Sequence, residues 1–436
     1  MSSETPAPQY VEDFFQHCFG FNEKSILYAE VQERFAVEDD GFTLVAKENG
    51  RRFQAGHFSC PSLGSLREQA REAAKQESAA GASPDPSAPP LTVRHVVTSD
   101  ALADHADPQH RGALFQVASQ FNCLEFTSMK RTPEDGIRGY AHDRTQGPAC
   151  AIACAPATVF RNYFVPVSRG EGKGPQIGQT AELQINSLDG IEALLGNQES
   201  PPAQASSIMS SLGCCSAPPQ VEGESKARYF FVENGYVCSE TERLAKLKAK
   251  LEEMGPAGKD DLRAALRVGF AQGSEVVFKA FVPFEGLLPL PPPADGDAVE
   301  RQEVSQIFCA AAKVNTSFAN PSDWESFARL LLEATYEASL WAGVVNMFAA
   351  RRKAQAKGVP PPPGCHRVML TLVGGGVFGN ELDWIVEALN QAIATVASAA
   401  PPGGWGLEVC LTHFQSINPA LEKAVYLGAP IGSWGS

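Results

Sequence analysis

The sequence predicts an α/β protein: a three-layer α/β/α sandwich with a mixed, mostly parallel sheet, preceded by a β-rich N-terminal extension. Short apolar runs bounded by Gly and Pro read as buried strands. From residue 112 onward such runs alternate with helix-patterned stretches, the order that builds a mostly parallel sheet. The chain of 436 residues, 44% hydrophobic and 20% charged, is long enough to bury a large core. The expected organisation is an extension over residues 1–90 that packs on the core, then a domain over 91–436 with insertions at about 168–300.

Taken in order, Tyr10 to Phe21 carries Phe14, Phe15, Phe19 and Phe21 and reads as a short helix and turn docked on the core. Asn49-Gly50 between Phe42–Ala46 and Arg52–Gly56 marks a hairpin. A helix starts near Ser65, and Ser78 to Pro90 reads as a Pro/Ser/Ala-rich link. Gly112 to Ala118 is an expected buried strand and Ala149 to Thr158 a small-residue helix. Tyr163 to Val167 is an expected strand and Ile185 to Leu195 a helix. Glu199 to Ser225, which includes Cys214-Cys215, has low complexity. Asn234-Gly235 signals a second hairpin, Glu240 to Met254 a surface helix, Asp260 to Arg267 a further turn or helix and Glu275 to Phe281 a strand. Leu287 to Pro293 reads as a proline connector and Ser305 to Ala311 as a strand. The next helix starts at Pro321, with Ser322 as N-cap and Glu325 completing a capping box. The chain then runs through a strand at Val368 to Val373, a helix from about Asn380 with Asn380 as N-cap, and a strand at Leu407 to Phe414.

The net charge of −14 argues against general binding to nucleic acid or an anionic membrane. No stretch is apolar and long enough to span a bilayer, and the first residues lack the features of a secretory signal. The 11 cysteines include no C-x-x-C pair, which suits reduced thiols in a cytoplasmic setting. No metal-ligand cluster stands out; His105 and His110 lie in a polar loop. No metal and no cofactor are expected, and the protein is expected to be a monomer.

The most informative stretch is Gly374-Gly375-Gly376-Val377-Phe378-Gly379-Asn380, between an expected strand and a helix. Such a loop brings bare backbone N–H groups beside the helix's positive end, a cradle for phosphate. Gly374, Gly376 and Gly379 also fit G-x-G-x-x-G, but the next strand carries its acid near its start and little chain follows for a dinucleotide half-domain. A tight turn that binds nothing is the bland alternative. A second loop leaves the strand at 112–118 through Gln120, Phe121, Asn122 and Glu125. It continues through Pro133-Glu134-Asp135-Gly136 to Asp143-Arg144-Thr145-Gln146-Gly147-Pro148, just before the small-residue helix. Polar groups there would stand at the carboxyl end of a buried strand, where α/β folds place ligands. Asp143 also suits a helix N-cap, and Asp135-Gly136 an ordinary turn.

These two segments resemble the phosphate-binding and ribose-binding loops of macrodomains. The likeness covers roughly residues 93–170 and 300–415. It is greatest to a divergent branch that includes bacterial-effector-type ADP-ribosyl hydrolases acting on arginine-linked ADP-ribose on ubiquitin. The triple glycine is not followed by Gln-Glu-Glu, so the chain departs from the poly(ADP-ribose) glycohydrolase pattern. The resemblance implies a macrodomain-like fold, ADP-ribose or ADP-ribosylated protein as the partner, and hydrolysis of mono-ADP-ribose; a non-catalytic reader is the alternative. It assigns the diphosphate to Gly374, Gly375, Gly376, Val377, Phe378, Gly379 and Asn380. Phe121 or Phe126 would line the adenine, with Gln120, Asn122, Glu125, Thr145, Gln146 and Gly147 around the ligand. Asp143 first, and Asp135 second, would be the catalytic carboxylate at the ribose anomeric carbon.

Overall fold

The computed structural model describes residues 10–24, 26–79, 90–170, 172–197, 229–291, 301–315 and 318–425. The link expected at Ser78 to Pro90 lies mostly outside them, and the low-complexity segment entirely so. Among these residues seven strands form the central sheet: β1 His57–Ser59, β2 Thr92–Thr98, β3 Leu114–Ala118, β4 Gly269–Glu275, β5 Glu303–Cys309, β6 Arg367–Leu370 and β7 Glu408–Phe414. Their order is β1-β4-β5-β3-β6-β7-β2. From β5 to β2 every neighbouring pair is parallel, and β4 runs antiparallel to both β1 and β5. The sheet is therefore mixed and mostly parallel, as expected.

Alternation along the strands explains the layers. Leu114, Ile307, Val368, Leu370, Val409 and Leu411 face one hydrophobic core, while Phe115, Met369 and Cys410 face the other. The first core is covered by α1 Leu63–Ala79, α4 Thr241–Ala265, α5 Pro321–Lys357 and α6 Leu382–Ser398. The second is covered by α2 Gln146–Ala153, α3 Ala155–Tyr163 and the aromatic N-terminal residues. Helix α5 crosses the sheet with Trp324, Leu331, Ala338, Trp341 and Met347 buried along it. Gly343 packs where an added Cβ would stand 2.2 Å from Val368, so the helix approaches β6 closely.

Both hairpin expectations hold: Val45 pairs with Arg52 across Asn49-Gly50, and Glu233 with Tyr236 across Asn234-Gly235. The segment expected as an N-terminal extension also supplies β1, an edge strand of the central sheet, and α1, which packs on α5. Likewise β4, from the region expected as an insertion, lies within the sheet.

Several boundaries differ from expectation. The long helix α5 is capped two residues earlier than Ser322 and Glu325 suggest. Pro321 is its first residue, Asn320 precedes it, and Asp323 Oδ2 accepts from the Asn320 N–H at 3.1 Å. Asn380 is not the cap of α6; Glu381 stands there, and Asn380 is held within the preceding loop. The small-residue helix is two helices meeting at Cys154, the second running to Tyr163, so the strand expected from Tyr163 is confined to Pro166–Val167. Leu287 to Pro289 belongs to a strand, Gly286–Pro289, paired with Phe278–Val282, and is not a connector. The helices expected at Glu240 and Asp260 are both present and part at Gly255, whose φ of 64° breaks the helical run, so the second starts before Asp260.

Candidate functional site

The carboxyl ends of β5, β3 and β6 lie side by side, the edge at which parallel sheets form the crevice that places ligands. Strand β3 pairs with β6 only at Leu114↔Val368 and Phe115↔Met369, after which the two part. Gln146, at the start of α2, fills the gap. Its Oε1 accepts from Ala118 N at 2.8 Å and its Nε2 donates to Gln116 O at 2.7 Å, replacing the missing strand partner. The next residue must be glycine, since a Cβ at Gly147 would stand 1.9 Å from Ala118 O. On the β6 side, Gln116 Oε1 accepts from Thr371 N at 3.1 Å. Tyr336 of α5 donates its hydroxyl to Thr371 O and accepts from Val373 N, each at 3.0 Å.

The glycine loop runs from β6 across the end of β3 to the segment after β5. Asn380 donates to Ala312 O at 2.7 Å and Gly374 O at 3.2 Å; its Oδ1 is buried without a partner among the described residues. Val314 N and Asn315 Nδ2 donate to Phe378 O and Val377 O. Gly374 has φ 82°, and a Cβ there would meet Ala311 and Asn380 at 2.7 Å, so only glycine fits. Gly375, Gly376 and Val377 are exposed. Gly375, Gly379 and Asn380 donate their N–H groups inside the loop, whereas those of Gly374, Gly376, Val377 and Phe378 donate to no group among the described residues. Adjacent unpaired amides at the entry to a 17-residue helix are a ready acceptor of negative charge.

The second segment meets the first through a tyrosine that sequence reasoning missed. Tyr236, in the strand after Asn234-Gly235, packs its ring 5.7 Å from that of Phe378 and donates its hydroxyl to Phe126 O at 2.8 Å. Gln120 pins the same turn, donating to Phe126 O at 2.8 Å and accepting from Phe126 N at 3.1 Å. The hairpin itself was legible as Asn-Gly; that it props two loops was not.

Several residues assigned to the ligand spend their polar groups on the fold. Asn122 Oδ1 accepts from Leu124 N at 3.0 Å and its Nδ2 donates to Gln184 at 2.8 Å. Phe121 is 2% exposed, in the core. Glu125 is fully buried and paired with Arg161 at 2.9 Å, and the guanidinium lies 3.8 Å from the Phe308 ring centroid. Burial pushes the Glu125 carboxyl up to about 7, while the Arg161 charge pulls it back down. An isolated buried charge is costly, so Arg161 explains how Glu125 is tolerated. Phe126 packs edge-on to Tyr140 at 5.3 Å, and both line a cavity of about 490 Å³ with Glu23, Asp135 and His142.

The two aspartates differ. Both oxygens of Asp135 are engaged: Oδ1 with Arg131 at 3.2 Å and Oδ2 with the Thr132 N–H at 2.9 Å. In Asp143 only Oδ1 is engaged, by the Thr145 N–H at 2.8 Å and hydroxyl at 2.5 Å. Its Oδ2 has no hydrogen-bond partner among the described residues. The turn is held on its other side by Arg144, whose guanidinium lies 4.1 Å from the Phe281 ring centroid. Asp143 is thus a half-exposed carboxylate, fixed by one oxygen and open at the other, just before α2.

Fold and site define a three-layer α/β protein with a loop of unpaired backbone amides at the carboxyl edge of its sheet. No family model matches the chain, and no curated protein matches it. Among solved structures it is similar to poly(ADP-ribose) glycohydrolase from Thermomonospora curvata, at 13% identity over 91% of this chain and 95% of that one, TM-score 0.30. It is also similar to poly(ADP-ribose) glycohydrolase from Deinococcus radiodurans in complex with ADP-ribose, at 10% identity over 85% of this chain and 91% of that one, TM-score 0.30. The fold class stands on the strand order and layers described above.

Proposed function

We propose that the crevice binds ADP-ribose and that the protein is a macrodomain-like hydrolase releasing mono-ADP-ribose from modified protein. The sequence resemblance makes arginine-linked ADP-ribose on ubiquitin the expected substrate. The observation that carries the reading is the run of unpaired amides at Gly374, Gly376, Val377 and Phe378, at the same edge of the sheet as the open carboxylate of Asp143. The amides suit a diphosphate. Cleaving the bond at the ribose anomeric carbon builds positive charge there, which a nearby carboxylate stabilises. Asp143 Oδ2 orients the attacking water and takes its proton as the C–O bond to water forms. The protein side chain leaves with the electron pair of the broken glycosidic bond and is protonated from solvent. Asp135, with both oxygens occupied, serves the shape of the loop and is the second candidate for the same role.

The reading is tested by calorimetry with ADP-ribose, followed by incubation with arginine-linked mono-ADP-ribosylated protein. Saturable binding and release of ADP-ribose are expected. Absence of binding at millimolar ligand removes the proposal; binding without release leaves a reader.

A further inference from the structure

A further cavity lies at the other end of the sheet from the glycine loop and plays no part in the reading above. It has a volume of about 510 Å³, within the range that holds small-molecule ligands. Its floor is made where β4 bulges against β5: the register shifts between Ala271 and Ser274, and Gly273 adopts φ 73°. Gly273 N donates to Ser305 Oγ at 3.3 Å, Ser305 Oγ donates to Asn346 Oδ1 at 2.7 Å, and Asn346 Nδ2 donates to Gly112 O at 2.9 Å. One wall is apolar, with Phe42, Ala349, Val359 and Pro362.

Uncharged polar groups such as Gln54, Gln272 and Asn346 share the lining with a set of cations whose sign runs against that of the molecule. Arg111, Arg301, Lys353 and Lys357 line the cavity, whereas the chain as a whole carries −14. Arg301 is paired with Glu275. Lys353 and Lys357, one turn apart on α5, make no ion pair within the described residues. Lysines in a last helical turn also favour the helix's negative end. Here that end is already closed by the Gly358 and Val359 N–H groups, which donate to Gln355 O and Ala354 O, so both ammonium groups keep their hydrogen-bonding capacity. Glu303 lines the same cavity, half-buried, and the charges of Lys353, Arg301 and Lys357 act on its carboxylate, though no group among the described residues donates a hydrogen bond to it or pairs with it within 4 Å.

We infer that this cavity binds a phosphate monoester bearing free hydroxyl groups: the lysine pair takes the phosphate, Glu303 accepts from a hydroxyl, and the apolar wall covers the organic body. A sugar phosphate and a nucleoside monophosphate share this chemistry.

The test is calorimetry on the full chain at low ionic strength with ADP-ribose present in excess, so that any binding in the crevice is blocked. The probes are ribose 5-phosphate, AMP and inorganic phosphate. Both esters bind, and inorganic phosphate binds at least tenfold more weakly; a tighter AMP assigns the wall to a base. The double variant Lys353→Glu/Lys357→Glu weakens ester binding by about tenfold or more, as expected for lost charge-assisted hydrogen bonds. Glu303→Gln weakens the esters relative to inorganic phosphate, whose own binding holds or strengthens as the carboxylate's charge is removed from beside the lysines. Because both lysines are exposed, the double variant retains its melting temperature; Lys353→Gln/Lys357→Gln replaces it should reversal of charge prevent folding. No ester binding to the wild type, esters no tighter than phosphate, or equal binding by wild type and lysine variant each overturns the inference. It stands or falls independently of the crevice, whose occupancy is read separately by ADP-ribose.

Discussion

Two aspartates lie eight residues apart on one loop, and the local hydrogen bonds separate their roles. Asp143 has a free oxygen and a locked one; Asp135 has neither oxygen free. Asp143→Asn keeps an oxygen for Thr145 but loses the proposed base; on that proposal release of ADP-ribose falls by about a hundredfold or more while ADP-ribose affinity stays within about threefold. Asp135→Asn changes release by only a few-fold. Single-turnover release assays paired with calorimetry check both, and equal losses for the two variants reject Asp143 as the base. That Asp143 or Thr145 stands near a helix start was legible in the sequence, but the cap is Thr145 and not Asp143. Which oxygen remained open was not legible, because it depends on the partners the fold supplies.

Glycines in the second loop divide in the same way. At Gly374 a side chain collides with Ala311 and Asn380, whereas at Gly376 nothing lies within 4 Å. Gly376→Val therefore leaves the melting temperature within about two degrees, while ADP-ribose binding weakens at least tenfold because the branched side chain covers the free amides. Thermal melts and calorimetry together check this. Unchanged affinity would show that the ligand does not approach the loop there.

At the scale of elements, period and punctuation gave the strand, loop and helix around Gly374 but not how they are fixed. Buried Gln116, Tyr336 and Asn380 each bond backbone in the loop region after β6, and nothing in their spacing announces it. Asn380 resembles an N-cap locally; the pull of Ala312 O and Gly374 O turns its side chain into the loop instead, and the helix starts two residues later. The same limit applies to Gln146. Its amide patches β3 where β6 turns away, a role visible only once the strands are placed. Gln146→Ala leaves Ala118 N and Gln116 O without these partners and costs about 1–3 kcal/mol of stability. Urea unfolding reads that loss, and a change under about 0.5 kcal/mol would mean that the patch is replaced by water.

For the molecule as a whole, alternating strands and helices were enough for the layers and for a mostly parallel sheet. They did not show that β1 and β4 join it, since β1 is only three residues long and β4 is interrupted by glycine and a bulge. Buried titrating groups set how the assembly responds to pH. His105 is fully buried, stacked 3.9 Å on Phe115, with Nδ1 2.7 Å from Ala101 O and Nε2 3.2 Å from Gln306 Nε2. The carbonyl takes the Nδ1 proton, so Nε2 accepts from Gln306 and has no acceptor for a second proton. Burial first of all lowers its pKa to about 4. Because that lies below the ordinary 6.5, the unfolded chain binds the proton first, and stability is lost as pH falls from about 6.5 to 4. Glu125, raised to about 7, acts oppositely: the native state holds a proton the unfolded chain has released, so stability declines as pH rises from about 4.5 to 7. The two contributions offset one another between about pH 4.5 and 6.5. In His105→Gln only the histidine contribution is gone, so the variant's melting temperature relative to wild type rises as pH is lowered from about 7 to about 5. A difference that stays flat over that range would mean that His105 titrates normally.

The strand order has a consequence for biosynthesis. Strand β2 leaves the ribosome early, yet its one neighbour in the sheet among the described residues is β7, made more than three hundred residues later, and β3 waits for β5 and β6. Long-range pairing of this kind is slow, and open strand edges are prone to stick to one another in the meantime. Translation halted before Glu408 would release a chain that lacks the strand joining β6 to β2, a substrate for chaperones and proteases rather than a shorter working protein.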